Sequence, residues 1–405
     1  MGSVVVIGGG AAGLSAAIAA AMCGDRVTVL ERMDRVGKKI LATGNGRCNL
    51  MNTGELRYPG GSGLAAAVLA RCGADVQTRF WHTLGLKLRQ EDGGRVYPIS
   101  GAASTVLDTL RQALRLLGVE LVTGTHVTGI RPGRNGWIVE ADQVYHAQRV
   151  IVAGGGCAQP KLGSNGSAYG LLTSLGHKMT RLQPALTQII TDTAPIRGLS
   201  GIRVRCDVAI TGRNGVKVQQ SGELLFADYG VTGVCVMQCA RWAEPGDVFH
   251  IDLTHAMGLQ DAAELAEELL RRRDVWGDQM TVADLFTGLC VPKLGLALLR
   301  HAGIDKASER SARELSVRQI RTIAALAADL TLRINGVKDF DSAQVTAGGV
   351  SCREFDQCTM ESLVAKGIHA AGEVLDVDGD CGGYNLMFAF GSGILAGLNG
   401  RDMPW

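Results

Sequence analysis

Three glycines, at positions 8, 10 and 13, follow directly on Val4-Val5-Val6-Ile7 in the spacing G-x-G-x-x-G. The apolar, mostly β-branched run makes a short buried strand, and the alanine-rich stretch 14–22 behind the glycines makes a helix. In a turn of this kind Gly8 permits the sharp bend, Gly10 lets the backbone approach a pyrophosphate with no Cβ in the way, and Gly13 lets the helix pack close on the sheet. Ala11 and Ala12 fall in the first helical turn, where unpaired N–H groups and the positive end of the helix dipole hold an anion. A turn at Cys23-Gly24-Asp25 leads to a second strand, 27–30, which ends at Glu31, close to the spacing expected for an acid that accepts from ribose hydroxyls. Glycine-rich turns also arise by chance in a chain with 55 glycines, but here strand, glycines, helix, second strand and terminal acid occur in order. The chemistry indicated is dinucleotide binding. An acid at position 31 favours a free adenosine ribose over a 2′-phosphate, and FAD and NAD both meet that requirement.

A second group of residues lies just beyond, in RMDRVGKKILATGNGRCNLMN at 32–52, which begins with Arg32. It has little periodicity and reads as a loop that approaches something with its backbone. Gly44 and Gly46, set among Thr43, Asn45, Arg47, Cys48 and Asn49, suit a nest for a phosphate or a ring edge. Lys38 and Lys39 are either solvated surface charge or part of an anion-binding rim. Cys48 is either an acid with a lowered pKa or a packed thiol. The chain has no CxxC pair, which argues against a disulfide reductase, and none of its eight histidines stands in metal-ligand spacing, so no metal is expected. VIVAGGG at 150–156 again feeds a buried strand into glycines, among them Gly154 and Gly155 after Ala153, but Gln159 stands where a third fingerprint glycine would be. No dedicated second nucleotide unit is expected, and a nicotinamide donor would bind only transiently.

The elements that must position these residues form an α/β chain. With 405 residues, 46% hydrophobic and 20% charged, the sequence is that of a globular protein with two or three domains, and a net charge of +2 does not imply a polyanionic partner. Eleven scattered cysteines read as reduced thiols of a cytoplasmic protein. The longest apolar runs contain glycines and fall short of the roughly 20 residues a membrane span needs, and no signal peptide is seen. A helix near 64–72 precedes a short strand or turn region in FWHTLGLKLRQEDGGRVYPIS, then an amphipathic helix 103–117 and a strand meander to the next glycines. From about 186 the alternation and Gly-Asn turns suggest a small antiparallel barrel or sandwich. Residues 260–332 carry helical periodicity. Arg271-Arg272-Arg273 and the basic stretch 300–321 are either solvated helix faces or contacts for an anionic partner.

GKKILATGNGRCNLMN behind GGGAAG, GGRVYPIS at 93–100, VIVAGGGCAQPKLGSNGSAYGLLTSLGH at 150–177, GELLFADYGVTG at 222–233, TAGGV at 346–350 and TMESLVAKGIHAAGEVLDVDGDCGGYNLMFAFGSGILAG at 359–397 together resemble the HI0933-like or BaiN-like family of bacterial NAD(P)/FAD-dependent oxidoreductases. The resemblance spans nearly the whole length and implies FAD, bound non-covalently. It implies a Rossmann-like FAD-binding domain of the glutathione-reductase/fumarate-reductase type, at 1–185 and 336–405, with an inserted β-barrel-like domain at 186–258 and a small helical domain at 259–335. Such inserts form a wall over the flavin. It further implies an adenine contact near Val127, an adenosine contact at Ala153 to Gly155, and an isoalloxazine lined by Gly383, Tyr384 and Asn385. The helix that opens there would stabilise negative charge at the flavin pyrimidine edge. Glu373 and Asp376, beside Gly372, either hydrogen-bond the ribitol or cap local turns. Arg47, Cys48 and Asn49 are the candidates for substrate or flavin contact and for catalysis. Two departures from the family pattern stand at this edge, Met51 and Cys381, each where a threonine is common. The expected activity is reduction of a C=C or C=N bond by an NAD(P)H-linked flavoenzyme, on a small molecule or on uridine in ribosomal RNA. A flavin-binding protein without turnover is the remaining alternative.

Overall fold

In the computed structural model, which describes residues 2–405, the apolar run ahead of the first glycine forms β1, Ser3–Ile7. The glycine turn follows, then α1, Ala11–Met22, and β2, Arg26–Glu31. With α2 (Ala103–Leu116), β3 (Glu120–Thr123), β4 (Arg149–Val152) and β5 (Ile368–Ala370) these build a parallel sheet in the order β5-β4-β1-β2-β3. Covered on both faces, a parallel sheet needs continuous apolar strands rather than alternating ones. Val4, Val5 and Val6 and their neighbours Val150, Ile151 and Val152 are accordingly all buried, each contributing about 1.5–3 kcal/mol by leaving water. The chain runs from β1 to β2 on one side, while β4 pairs with β1 on the other. This reversal opens a crevice at the carboxyl ends of the strands, where α/β sheets bind ligands.

The last helix, α3 (Tyr384–Leu398), packs along α1 at unusually close range. A Cβ on Gly393 would come 2.2 Å from the Ala12 carbonyl oxygen, and one on Gly397 2.3 Å from that of Ala16. The small residues of both helices therefore let the backbones touch, and Ser15 Oγ bonds across to Phe390 O at 3.2 Å. Both helices are apolar on nearly every side, and they are buried accordingly.

The chain divides into two compact units, Met1–Gln183 with Ala343–Trp405, and Pro184–Ser342. The second unit is a closed antiparallel barrel whose strands run in the order Ile189–Thr191, Gly230–Thr232, Gly215–Ala227, Arg203–Gly212, Val248–Asp252 and Leu330–Val337. Inward alternation fills it with Phe226, Phe249, Ile251, Leu332 and Ile334. Helices Ala262–Trp276, Pro292–His301 and Val317–Ala328 belong to the same core. Two of them start at side-chain caps, Asp261 accepting from Glu264 N–H and Ser316 from Gln319 N–H.

Three expectations are corrected. The division of the insert into a barrel at 186–258 and a helical part at 259–335 does not hold, because the strand that closes the barrel, Leu330–Val337, comes after the helices and pairs with both Val248–Asp252 and Ile189–Thr191. The start of FWHTLGLKLRQEDGGRVYPIS is not strand or turn, because Ala74–Thr83 is a helix that buries Phe80 and Trp81, while the rest holds the strands Leu88–Glu91 and Arg95–Pro98 as expected. Residues 120–123 leave the expected meander for the edge of the parallel sheet, so the meander is only Gly129–Gly133, Gly136–Glu140 and Val144–Ala147. Among the described residues no helix is long and apolar enough to cross a membrane.

Candidate functional site

The glycine turn sits at the carboxyl end of β1, and each glycine answers to a different neighbour. Gly8, at φ +104°, would put a Cβ 2.5 Å from the Ala153 carbonyl oxygen, and Gly13 would put one 1.8 Å from that of Gly8. A Cβ on Gly10 would meet nothing within 4 Å, and α1 starts there with no side-chain cap. The first-turn amides at Ala11 and Ala12 thus border an open cradle, which fits the pyrophosphate of a dinucleotide. Glu31 props its rim: Oε2 accepts from Gly9 N–H at 2.6 Å and Oε1 from Met33 N–H at 2.7 Å. Each carboxylate oxygen keeps a lone pair for a ribose hydroxyl. Arg32 donates to Gly163 O, and Thr125 N–H to Glu31 O, which brings the buried Val127 alongside. Ala153 N–H bonds Ile7 O, and a Cβ on Gly154 would lie 2.6 Å from that of Ala168, while Gly155 takes φ +74°. These three residues form the second lip of the crevice.

The loop 43–49 is wound by positive φ at Gly44, Asn45, Gly46 and Cys48, held by Cys48 N–H to Thr43 O at 3.0 Å. Cys48 is fully buried, and burial pushes its thiol up to about 12, so the reading of Cys48 as a low-pKa acid is corrected: it is a packed thiol. Arg47 pairs with Glu91 and lies 4.1 Å over the Tyr97 ring. Arg89 joins the same carboxylate at 2.9 Å. Sequence reasoning missed Glu91, Arg89 and Tyr97 as partners, although GGRVYPIS had marked the neighbourhood. Asn49 is 9% exposed, and its Oδ1 has no hydrogen-bond partner among the described residues.

The third part comes from the end of the chain. Lys39 is a paired lysine rather than a freely solvated surface charge. Its Nζ is held by Glu373 at 2.7 Å and by Ala158 O at 3.1 Å. The other Glu373 oxygen accepts from Thr346 N–H, and Thr346 Oγ1 accepts from Cys157 and Ala158 N–H. Glu373 therefore ties three distant segments together, and Thr346, also missed, is its partner in this. Gly372 takes φ +75° against Ala12 of α1. Asp376 is half-buried, its N–H donating to Val350 O at 2.9 Å and its carbonyl oxygen accepting from Cys352 Sγ at 3.0 Å. Asn385 uses both ends of its amide on Gly379, accepting from N–H at 2.8 Å and donating to O at 2.7 Å. Tyr384 is buried edge-to-face against Tyr58, whose hydroxyl donates to Tyr384 O. The side chains of Tyr384 and Asn385 thus shape the turn 379–383. Gly383 caps α3 at φ +103°, packed against Met51 O and Asn49 Oδ1. Asn52, a further missed residue, donates to Gly93 O and Gly382 O and so fixes this edge. Met51 is buried, and burial pushes the Cys381 thiol up to about 12.

An open cradle at one helix start and an unpartnered buried acceptor beside another are the features a dinucleotide with a polar ring would fill. The sequence matches the model of the HI0933-like protein Rossmann domain over residues 2–399. It is 36% identical to the 3-dehydro-bile acid delta(4,6)-reductase of Clostridium scindens, over 100% of both chains. To the ribosomal RNA dihydrouridine synthase of Escherichia coli it is 26% identical, over 96% of this chain and 95% of that one. Among solved structures it is similar to 3-ketosteroid-delta4-(5alpha)-dehydrogenase from Rhodococcus jostii, at 16% identity and a TM-score of 0.47, covering 98% of this chain and 96% of that one.

Proposed function

The chain belongs to the HI0933-like family and is an FAD-dependent oxidoreductase, and on that premise we propose that it reduces a carbonyl-conjugated C=C bond in a small molecule, with NAD(P)H as a transient electron donor. The observation that carries this reading is the open cradle at Gly10, flanked by the uncapped start of α1 and by the propped Glu31 carboxylate. The whole-length similarity to a bile-acid reductase supports the substrate class.

When bound, FAD supplies hydride transfer, so few catalytic side chains are needed. The amides of Ala11 and Ala12 bind the diphosphate, and Glu31 accepts from the adenosine ribose. Cys48 gives no proton, because its thiol is buried and held protonated. Arg47 is fixed by Glu91 and by stacking on Tyr97, and it keeps N–H groups free to donate to a substrate carbonyl oxygen. Hydride addition at the β-carbon of the alkene passes negative charge onto that oxygen, where a preoriented cation lowers the barrier, and a proton from water at the α-carbon then discharges it.

Part of the basic charge of the second unit is already paired within the protein. Arg271 and Arg272 are held by Glu268, and Arg272 also donates to Leu285 O and Thr287 O. Arg313 is held by Asp278 and Arg310 by Glu314. Arg300, Arg318 and Arg321 are exposed and make no ion pair among the described residues, so these clusters leave the choice to the experiment.

The test is anaerobic stopped-flow of the purified yellow protein. NADH or NADPH should bleach the flavin, and a 3-oxo-4-ene steroid should restore its colour, while ribosomal RNA should not. Restoration by RNA alone would transfer the reading to an RNA-modifying enzyme, and a flavin that no donor bleaches would leave a binding protein without turnover.

A further inference from the structure

The small sheet of Met51–Asn52, Arg95–Pro98 and Leu88–Glu91 gathers more positive charge than it neutralises. In its antiparallel ladder Arg89 stands opposite Tyr97 and Glu91 opposite Arg95. Residues directly opposite one another, or two apart along a strand, share a face. One face therefore carries Arg89, Glu91, Arg95 and Tyr97, and Arg47 lies over it on the Tyr97 ring. That sets three guanidinium groups against one carboxylate. Glu91 is fully committed: its Oε1 is shared by Arg47 and Arg89, and the hydrogen bond from Arg47 above all holds its carboxyl below the usual carboxylate range. Arg95 is exposed and makes no ion pair among the described residues. Asp92, in the connecting turn, is the only other acid between Leu88 and Pro98, so the cations still outnumber the acids. Cations held this close repel one another and draw in anions, and a face that keeps them without matching acids is suited to receive one. It borders the turn before α3, since Asn52, opposite Arg95 in the ladder, donates to Gly382 O at 2.9 Å. The cofactor's diphosphate is placed at the start of α1, so the anion in question is another.

From this face we infer a binding site for an anionic group, a carboxylate or a phosphate, formed by Arg89 and Arg95 and filled by a molecule that exchanges electrons with the flavin. This rests on the reductase reading above and extends it: Arg47 serves the substrate carbonyl oxygen, while Arg89 and Arg95 hold a charged group elsewhere on the bound molecule. A guanidinium fork offers paired N–H groups that match the oxygens of either anion. Two molecules of that reaction carry such a group. A steroid substrate with an acidic side chain brings a carboxylate, and NADPH brings a 2′-phosphate that NADH lacks.

Full-length, flavin-loaded protein is titrated by calorimetry at low ionic strength, without turnover, against two pairs of ligands. One pair is a 3-oxo-4-ene steroid bearing a side-chain carboxylate and its methyl ester, and the other is NADP+ and NAD+. In at least one pair the more anionic member should bind about tenfold more tightly, the scale of two half-exposed charge pairs, and the preference should shrink as salt rises. The double variant Arg89→Gln with Arg95→Gln, still yellow, should cut that preference to about twofold. A preference within the steroid pair assigns the anion to the substrate, and one within the nucleotide pair assigns it to the donor. No preference in either pair overturns the inference on the unmodified protein alone, and so does a preference that the double variant keeps. Protein that shows the preference while neither NADH nor NADPH bleaches its flavin keeps the site and overturns the reductase reading instead.

Discussion

Two helices of the first unit, α1 and α3, begin on a glycine with no side-chain cap, and they differ in what that glycine is for. At the start of α1, Gly10 has an ordinary negative φ of −87° and nothing within 4 Å of where a Cβ would stand. At the start of α3, Gly383 has φ +103°, with Met51 O at 2.6 Å and Asn49 Oδ1 at 2.8 Å from that position. The protein has no internal reason to keep a glycine at position 10, whereas at position 383 its own packing requires one. The glycine at position 10 faces open space, and the one at position 383 answers to the protein's own packing.

This contrast orders the expected effects of adding a single methyl group. The largest falls on Gly13, which belongs to the turn's own packing. A Cβ 1.8 Å from Gly8 O must push α1 off the sheet, so Gly13→Ala should lose about 3 kcal/mol or more, at the upper end for overpacking. Urea unfolding of flavin-free protein measures it, and a midpoint like that of the unmodified chain would mean α1 does not sit where described. Next comes Gly383→Ala. Left-handed backbone costs a non-glycine residue about 1–2 kcal/mol, and the contact with Met51 O adds to it, so a total of roughly 2–4 kcal/mol is expected even without flavin. Were Gly383→Ala to unfold normally but fail to retain FAD, the two helix starts would be alike and the comparison would collapse.

The first helix start was legible in the sequence because every part of it is local: strand, glycines, helix and acid lie within 31 residues. The second was only half legible. The run Gly382-Gly383-Tyr384-Asn385 announced a helix start, but the partner of Gly383 is Asn49, more than three hundred residues earlier. A separation of 334 residues likewise hid Lys39 with Glu373, and one of 189 hid Thr346 with the backbone at Cys157. Asn385 was expected at the flavin from the family resemblance, and what its amide does within the protein, closing the turn at Gly379, gave no sequence signal. Strand pairing failed for the same reason, since Leu330–Val337 closes a barrel whose other strands lie between 189 and 252. The helix Ala74–Thr83 was missed on other grounds. Phe80 and Trp81 favour strands by propensity, and their burial in the tertiary core, edge-to-face with Phe390 for Trp81 at 4.8 Å, overrides that preference.

Gly10 is the position at which the cofactor's placement is most directly tested. Gly10→Ala adds one methyl group to space the protein leaves open, so flavin-free protein should unfold within about 1 kcal/mol of the unmodified chain, the scale of a changed helix cap. The same variant, purified in parallel, should come off the column without its yellow colour and fail to take up added FAD. A Gly10→Ala protein that is equally stable and fully yellow would contradict the placement of the cofactor's pyrophosphate at the start of α1.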